Sequence, residues 1–351
     1  MKALFLKSLA VITALLLIPS TGIFAQSSDK SKSLKKEFVV GQDVKLNIET
    51  SFGKVHCNVW DKNLMTIDVL VKADARSDKD AQNLLNQITP IITGNSSLVE
   101  ITTKIGNTGS TGKNKSFSVD YTINMPRSTT LSVSNRFGDL FVDELTAPAK
   151  INIEYGNLTI NRLSNPASDV SLKFSTGNIN AMGNIKLSLE YSTLKTRNGN
   201  SINTDTRFST IDMGDLKSLV IDSEYDSFSI GKVGTISGSG KFSNVKIDQL
   251  DEKLDMQVDY GGLDVKSVLP TFDLINVISS FNGVNIRIPS VASYRLNADM
   301  SFGECNYPKG SQVSVTEKSF TSKLITGVVG PSKSPSAKVN IKGKNCDVKL
   351  Y

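Results

Sequence analysis

RFGDL (136–140), EYGNL (154–158), KFSTG (173–177), EYSTL (190–194), RFSTI (207–211), EYDSF (224–228), KFSNV (241–245) and DYGGL (259–263) are eight versions of one pattern. Each has a charged residue, an aromatic ring, a short Gly/Ser/Thr/Asp/Asn bend, and an aliphatic residue or its stand-in three places after the ring. Three looser copies extend the series: SFGKV (51–55) ahead of it, SFNGV (280–284) and SFGEC (301–305) behind. From Phe137 onward the rings recur at steps of 18, 19, 17, 17, 17, 17, 18, 21 and 21. A period near 17 that carries β-type alternation means one structural unit stacked many times. The expected fold is all-β: a single-stranded parallel β-solenoid (β-helix) with rungs of about 17–21 residues and one short N-terminal helix.

The residue before each ring alternates in sign through Arg136, Glu154, Lys173, Glu190, Arg207, Glu224, Lys241 and Asp259, with Phe after each base and Tyr after each acid. Direct stacking of equivalent residues explains this. In a parallel, in-register stack such residues lie about 4.8 Å apart, where like charges repel and opposite charges attract by about 0.2–1 kcal/mol per pair. The structural ladder is Phe52, Phe137, Tyr155, Phe174, Tyr191, Phe208, Tyr225, Phe242, Tyr260, Phe281 and Phe302. Period-2 alternation places Leu131, Val133, Asn135 and Phe137 on one face, followed by Leu140, Val142 and Leu145. The same rule puts Ile151, Ile153 and Tyr155 inward, so the rings are expected in the core.

Residues 1–25 read as a signal peptide: Lys2 and Lys7 precede an apolar run from Leu9 to Ile18, with cleavage expected after Ala25. That run is too short to span a bilayer, and no later segment has transmembrane length. Removing Lys2 and Lys7 takes the formal charge from +6 to +4. This small, dispersed excess gives no nucleic-acid signature. Lys30, Lys32, Lys35 and Lys36 sit in a Ser/Lys-rich stretch, so 26–36 is expected to be a flexible leader. Residues 37–125 are expected to cap the stack, with a first rung, a helix over 77–92 opened by a Ser77/Asp80 capping box, and a hairpin of 98–105 with 116–125. The regular solenoid then runs over 126–351, with 306–338 looped out as a C-terminal cap containing Pro308, Pro331 and Pro335.

Together these motifs resemble a bacterial β-strand-repeat family of unknown function described as putative adhesins and frequent in Bacteroidetes. The resemblance rests on a signal peptide, a first F-G-x-V rung (52–55), the I-x-V-x-V strand (67–71) and the I-N-M-P entry (123–126). The repeated [FY]-[GS]-x-[LI] rungs and a closing G-x-N-C-D-V-K-L (343–350) complete it. It implies a single-chain β-solenoid of the cell envelope and supplies no catalytic residues.

Candidate chemistry is sparse. His56, the only histidine, is expected to face outward while Cys57 faces inward, so the two do not form a dyad. Asp222, Glu224 and Asp226 are expected to share an outward face, with Arg207 and Lys241 opposing a cation there. Ser175–Thr176, Ser192–Thr193 and Ser209–Thr210 form a hydroxyl column suited to satisfying bend carbonyls. Trp60 is expected to pack the first rung. Three cysteines leave at least one unpaired or intermolecular. Cys305 and Cys346 are read in one aliphatic column, as a disulfide in an oxidising compartment or as buried thiols. No catalytic, cofactor or metal residue is assigned.

The expected function is a non-enzymatic, exported cell-envelope scaffold of adhesin type, in the periplasm or on the outer surface. Its partner is an unidentified protein or glycan of the envelope. Alternatives are a periplasmic partner of an envelope-stress or signalling system and a polysaccharide-active β-helix enzyme. Rungs of 17 residues leave an enzyme little loop length with which to build a groove.

Overall fold

The computed structural model describes residues 28–107 and 115–351. The expected signal peptide and most of the Gly/Asn/Lys loop at 106–115 lie outside the described residues. The rest is all-β with one helix, its strands joined in one long, mostly parallel stack that does not close on itself. Register follows the repeat: Arg136 pairs with Glu154, Glu154 with Lys173, Lys173 with Glu190, Glu190 with Arg207, Arg207 with Glu224, and Glu224 with Lys241. Aliphatic columns fill the interior. Leu131, Val133, Leu140, Val142 and Leu145 are at most 1% exposed, and each later rung adds its equivalents.

The rings do not join that core. Every ladder aromatic has a left-handed backbone, with φ between 49° and 60°. One residue in this region reverses the side-chain alternation, so the ring turns out and the next residue turns in. The expectation that the rings point inward with Asn135 and Val133 is therefore corrected: Asn135 is buried and Phe137 is 42% exposed. The left-handed region is costly for a bulky residue, by roughly 1–2 kcal/mol. The corner keeps the backbone ladder unbroken: from Phe52 to Tyr260, each ring residue's N–H donates to the carbonyl just before the next ring. Phe137 N donates to Glu154 O at 2.9 Å, Phe174 N to Glu190 O at 3.0 Å and Tyr225 N to Lys241 O at 3.0 Å. The small residue at the next position allows close approach: a Cβ on Gly138 would lie 1.9 Å from Gly53 O.

The N-terminal end departs from expectation in three places. Ser28–Val39 is a strand, not a flexible leader, and pairs antiparallel with Leu64–Ala75 along its whole length. Two of its lysines reach the helix: Lys32 Nζ donates to Leu85 O and Ile88 O at the helix end, and Lys30 pairs with Asp78 at 2.9 Å. The helix is Asp78–Asn86, capped by Ser77 whose side chain accepts from Asp80 N. It stops short of 92, and Ile88–Gly94 is a strand; Pro90 and the β-branched run around it favour extended backbone. The expected hairpin of 98–105 with 116–125 does not form. Leu98–Ile105 pairs antiparallel with Ile88–Gly94 and parallel with Lys45–Ser51. Ser116–Pro126 pairs antiparallel with Leu64–Ala75 and parallel with Val55–Trp60.

The C-terminal end departs further. Residues 306–338 are not a plain loop: Gln312–Ser319 and Ser322–Val329 form an antiparallel hairpin laid against Tyr294–Ser301. The penultimate strand, Lys338–Lys344, does not follow that rung in space. It inserts between Leu274–Ser280 and Tyr294–Ser301, parallel to both. Asp347–Leu350 likewise lies between Gly283–Ile286 and Cys305–Asn306. Asn345, with φ 50°, takes the corner position between Phe281 and Phe302. Phe281 N donates to Lys344 O at 3.1 Å and Asn345 N to Ser301 O at 2.8 Å.

Candidate interaction surface

The outward corners form a continuous strip of rings. Ten of them, Phe52 through Phe281, stack in succession with centroids 4.8–5.1 Å apart and planes within 18° of parallel. Phe117, from the cap, closes the N-terminal end at 5.1 Å from Phe52. Each of the ten is 38–50% exposed. Stacking occupies the faces, so the strip offers solvent a row of ring edges. Phe302 is separated from the column by Asn345, pairs with no ring among the described residues, and is 61% exposed. The expected eleven-ring ladder is thus ten rings with Phe302 detached, because the chain's last two strands, with Asn345 at their corner, form the intervening rung.

The charge row runs beside the strip. Arg136 Nε lies 3.3 Å from Glu154, Lys173 Nζ 2.9 Å from Glu190, and Arg207 Nε 3.7 Å from Glu224. The hydrogen bond from Lys173 to Glu190, with their mutual attraction, raises the Lys173 pKa. Lys241 and Asp259 are register partners; the Lys241 ammonium sits 5.8 Å from the Phe242 ring centre, and Asp259 accepts from Gln257. A shallow depression of about 100 Å³ lies against Lys173, Glu190 and Arg207. On the other side of the rings run Thr176, Thr193, Thr210, Ser227 and Asn244, small and polar.

Behind the corner lies a buried polar column. Ser192 Oγ accepts from Ser175 N at 3.1 Å, Ser209 Oγ from Ser192 N at 3.2 Å, and Ser243 Oγ from Asp226 N at 3.0 Å. Each serine donates back to a bend carbonyl: Ser192 to Glu190 O, Ser209 to Arg207 O, Ser243 to Lys241 O. These serines join adjacent rungs, while Thr176 and Thr210 of the same pairs face solvent.

Asp226 belongs to this column, and its expected outward orientation beside Asp222 and Glu224 is corrected. It is 5% exposed because the left-handed Tyr225 turns it in. Burial raises its pKa; donors from Thr206, Ser209, Ser223 and Glu224 oppose that rise. The signal was present in the sequence: Asp226 stands where Ser175, Ser192, Ser209 and Ser243 stand in neighbouring copies.

His56 faces outward with its ring 4.2 Å from that of Phe141, and Cys57 is buried on the opposite side of the strand. Trp60 donates to Leu64 O at 2.7 Å and carries Lys62 over its ring. All three cysteines are free thiols. Burial pushes Cys57 and Cys305 up to about 12 and also raises Cys346. The column expected to hold Cys305 and Cys346 together is corrected, since Cys305 pairs with Val348. Cys346 follows the corner residue Asn345, two places earlier in the rung. Among the described residues there is no cluster of three or more His, Cys, Asp or Glu able to hold a metal ion, and no helix long and apolar enough to cross a membrane.

No family model matches the chain, and no curated protein matches it. Solved structures do. A putative adhesin from Parabacteroides distasonis is 11% identical, with 91% of this chain and 97% of that chain covered and a TM-score of 0.38. A putative cell adhesion protein from Clostridium sporogenes is 12% identical, with 92% and 99% covered and a TM-score of 0.20. A putative adhesin from Parabacteroides merdae is 9% identical, with 91% and 96% covered and a TM-score of 0.27. At these identities and scores, fold and function rest on the chain's own residues.

Proposed function

We propose that the chain is an exported, non-enzymatic scaffold of the cell envelope: a single-stranded parallel β-solenoid of adhesin type that docks through its ring-and-charge strip. The observation that carries this reading is the strip itself. A soluble surface rarely keeps an apolar patch larger than a few hundred Å² without an interaction to cover it. Ten rings at 38–50% exposure form one continuous row. The chemistry of that row favours a protein partner over a stacked sugar, because ring faces are what a pyranose packs against and here they are taken by neighbouring rings.

Two measurements test the reading. Protease shaving of intact cells carrying a tagged copy reports the compartment: digestion on intact cells means the outer surface, protection until lysis means the periplasm. Sedimentation of the purified chain with envelope fractions reports docking. Tyr191→Thr with Phe208→Thr, verified as folded by circular dichroism, is expected to lose co-sedimentation. Co-sedimentation unchanged by that variant contradicts the strip as the docking surface, and turnover of an envelope polysaccharide contradicts the non-enzymatic assignment.

A further inference from the structure

We infer that the partner of the ring-and-charge strip is a second copy of this chain, running antiparallel across a two-fold axis; this rests on the strip being the docking surface. Read from Arg136 to Asp259 the row is base, acid, base, acid, through eight members. Reversed, it begins with an acid. A two-fold axis lying in the interface and perpendicular to the strip sets the row against its own reverse. Every base then meets an acid: Arg136 faces Asp259 of the other copy, Glu154 faces Lys241, Lys173 faces Glu224, and Glu190 faces Arg207. This works because the number of members is even; an odd alternating row reversed sets like on like. The axis passes between Glu190 and Arg207, which are register neighbours within one chain.

Three further features agree. The ring spacing of 4.8–5.1 Å is uniform from rung to rung, so two copies share one repeat length and stay in step over the whole strip. The rings alternate Phe and Tyr with the charges, so the same reversal sets each Tyr hydroxyl against a Phe edge and never against another hydroxyl. The area is also sufficient. At roughly 200 Å² per aromatic side chain, the eight rings from Phe137 to Tyr260 offer on the order of 700 Å². The charge row brings this to about the 800 Å² per partner of a stable complex. A two-fold axis along the strip would instead set the charges against the Thr176–Thr193–Thr210 side. The antiparallel pairing is closed and isologous, so it predicts a dimer and not a filament.

Sedimentation equilibrium and light scattering of the full chain test this first. The expected mass is twice that of the chain, falling toward one chain mass as salt is raised, because the rim pairs are exposed and screened. Two single variants then separate the interface from the fold. Arg207→Glu carries acids at both central positions, and Glu190→Lys carries bases at both. Each alone is expected to shift dimerisation at least tenfold toward monomer. Mixed one to one, they are expected to form a heterodimer in which each central acid again faces a base. Repulsion within one chain's own row is not relieved by mixing, so rescue is specific to the antiparallel pair.

A wild-type chain that stays monomeric into the hundreds of micromolar overturns the inference, as does a dimer indifferent to both variants or variants not rescued by mixing. If either variant fails to fold, the wild-type mass across concentration and salt decides alone. A monomer that still binds envelope fractions through the strip overturns this inference and leaves the docking reading standing. A monomer whose envelope binding ignores the strip overturns both.

Discussion

Between Phe137 and Tyr260 the order of rungs in space is their order in the chain; beyond Phe281 it is not. In the middle, each ring stacks on the ring of the preceding copy, as Tyr191 does on Phe174 and Phe208 on Tyr191. At the C-terminal end, the rung carrying Phe302 forms its inner pairings with Lys338–Lys344 and Asp347–Leu350, the last two strands of the chain. Periodicity identifies equivalent positions and does not by itself make them neighbours. Middle rungs can add one after another as the chain is made. The rung at 294–306 lacks its inner neighbour until 338–350 exists, and the long-range closure this requires is slow by comparison.

The largest expected effect breaks the C-terminal end. Val339 and Ile341 are 0% and 3% exposed in the inserted strand. Ile341→Asp buries an unpaired charge and is expected to cost about 4 kcal/mol or more. Hydrogen exchange should rise through 274–306 while the middle rungs stay protected. Val315→Asp, on the outer cap hairpin at a position 53% exposed, is expected to change stability by less than about 0.5 kcal/mol. Equal effects in urea unfolding would mean that the inserted strand is no more integral than the hairpin.

A smaller contrast separates the ladder from its detached ring. Phe208 stacks on both sides, at 4.8 Å and 4.9 Å. Phe208→Ala removes both contacts and is expected to cost about 2 kcal/mol. Phe302→Ala removes no ring pair and is expected to cost less than about 0.5 kcal/mol. Urea midpoints of the two variants check this.

Asn345→Tyr sharpens the same comparison by supplying the missing ring between Phe281 and Phe302. Asn tolerates the left-handed corner better than Tyr, which offsets part of the new stacking. A net gain of about 0.5 kcal/mol is expected, read as a raised thermal midpoint.

The smallest expected effect concerns Asp226. Its folded pKa is raised, so the native state holds the proton more tightly than the unfolded chain. Stability therefore falls as pH rises from the unfolded carboxylate value, near 4, through the folded value, and stays reduced above it. Asp226→Ser restores the residue used by neighbouring rungs and should lack this slope. The variant's advantage should be present at about pH 7 and shrink toward about pH 3. A constant difference across that range would contradict the assigned cause.

The sequence makes the aliphatic columns plain, because Val133, Ile151, Val170, Leu187 and their equivalents recur in step with a period-2 pattern on either side of the bend. It does not reveal which way the rings face. A single left-handed residue shifts that parity, and Phe and Tyr are not residues that ordinarily signal such a backbone. The same shift hid Asp226 in the interior. Composition misled at Ser28–Val39, where lysines typical of a solvated tail instead satisfy the helix end and alternate along a paired strand. The ring-and-charge strip is legible as a pattern of charge and ring; its position outside the core is legible only from the backbone at each corner.

The most direct test of the account is a pair of disulfide-trapping variants. Ser280 and Lys344 are register partners in adjacent strands, whereas Ser280 and Ser301 flank Lys344 from opposite sides, two rungs apart. Adjacent parallel strands fall within the Cα separation a disulfide allows, and strands two rungs apart do not. Ser280→Cys with Lys344→Cys is predicted to cross-link under mild oxidation, while Ser280→Cys with Ser301→Cys stays reduced. Cross-linking of 280 with 301 and not with 344 would place the rungs in chain order and contradict the inserted strand.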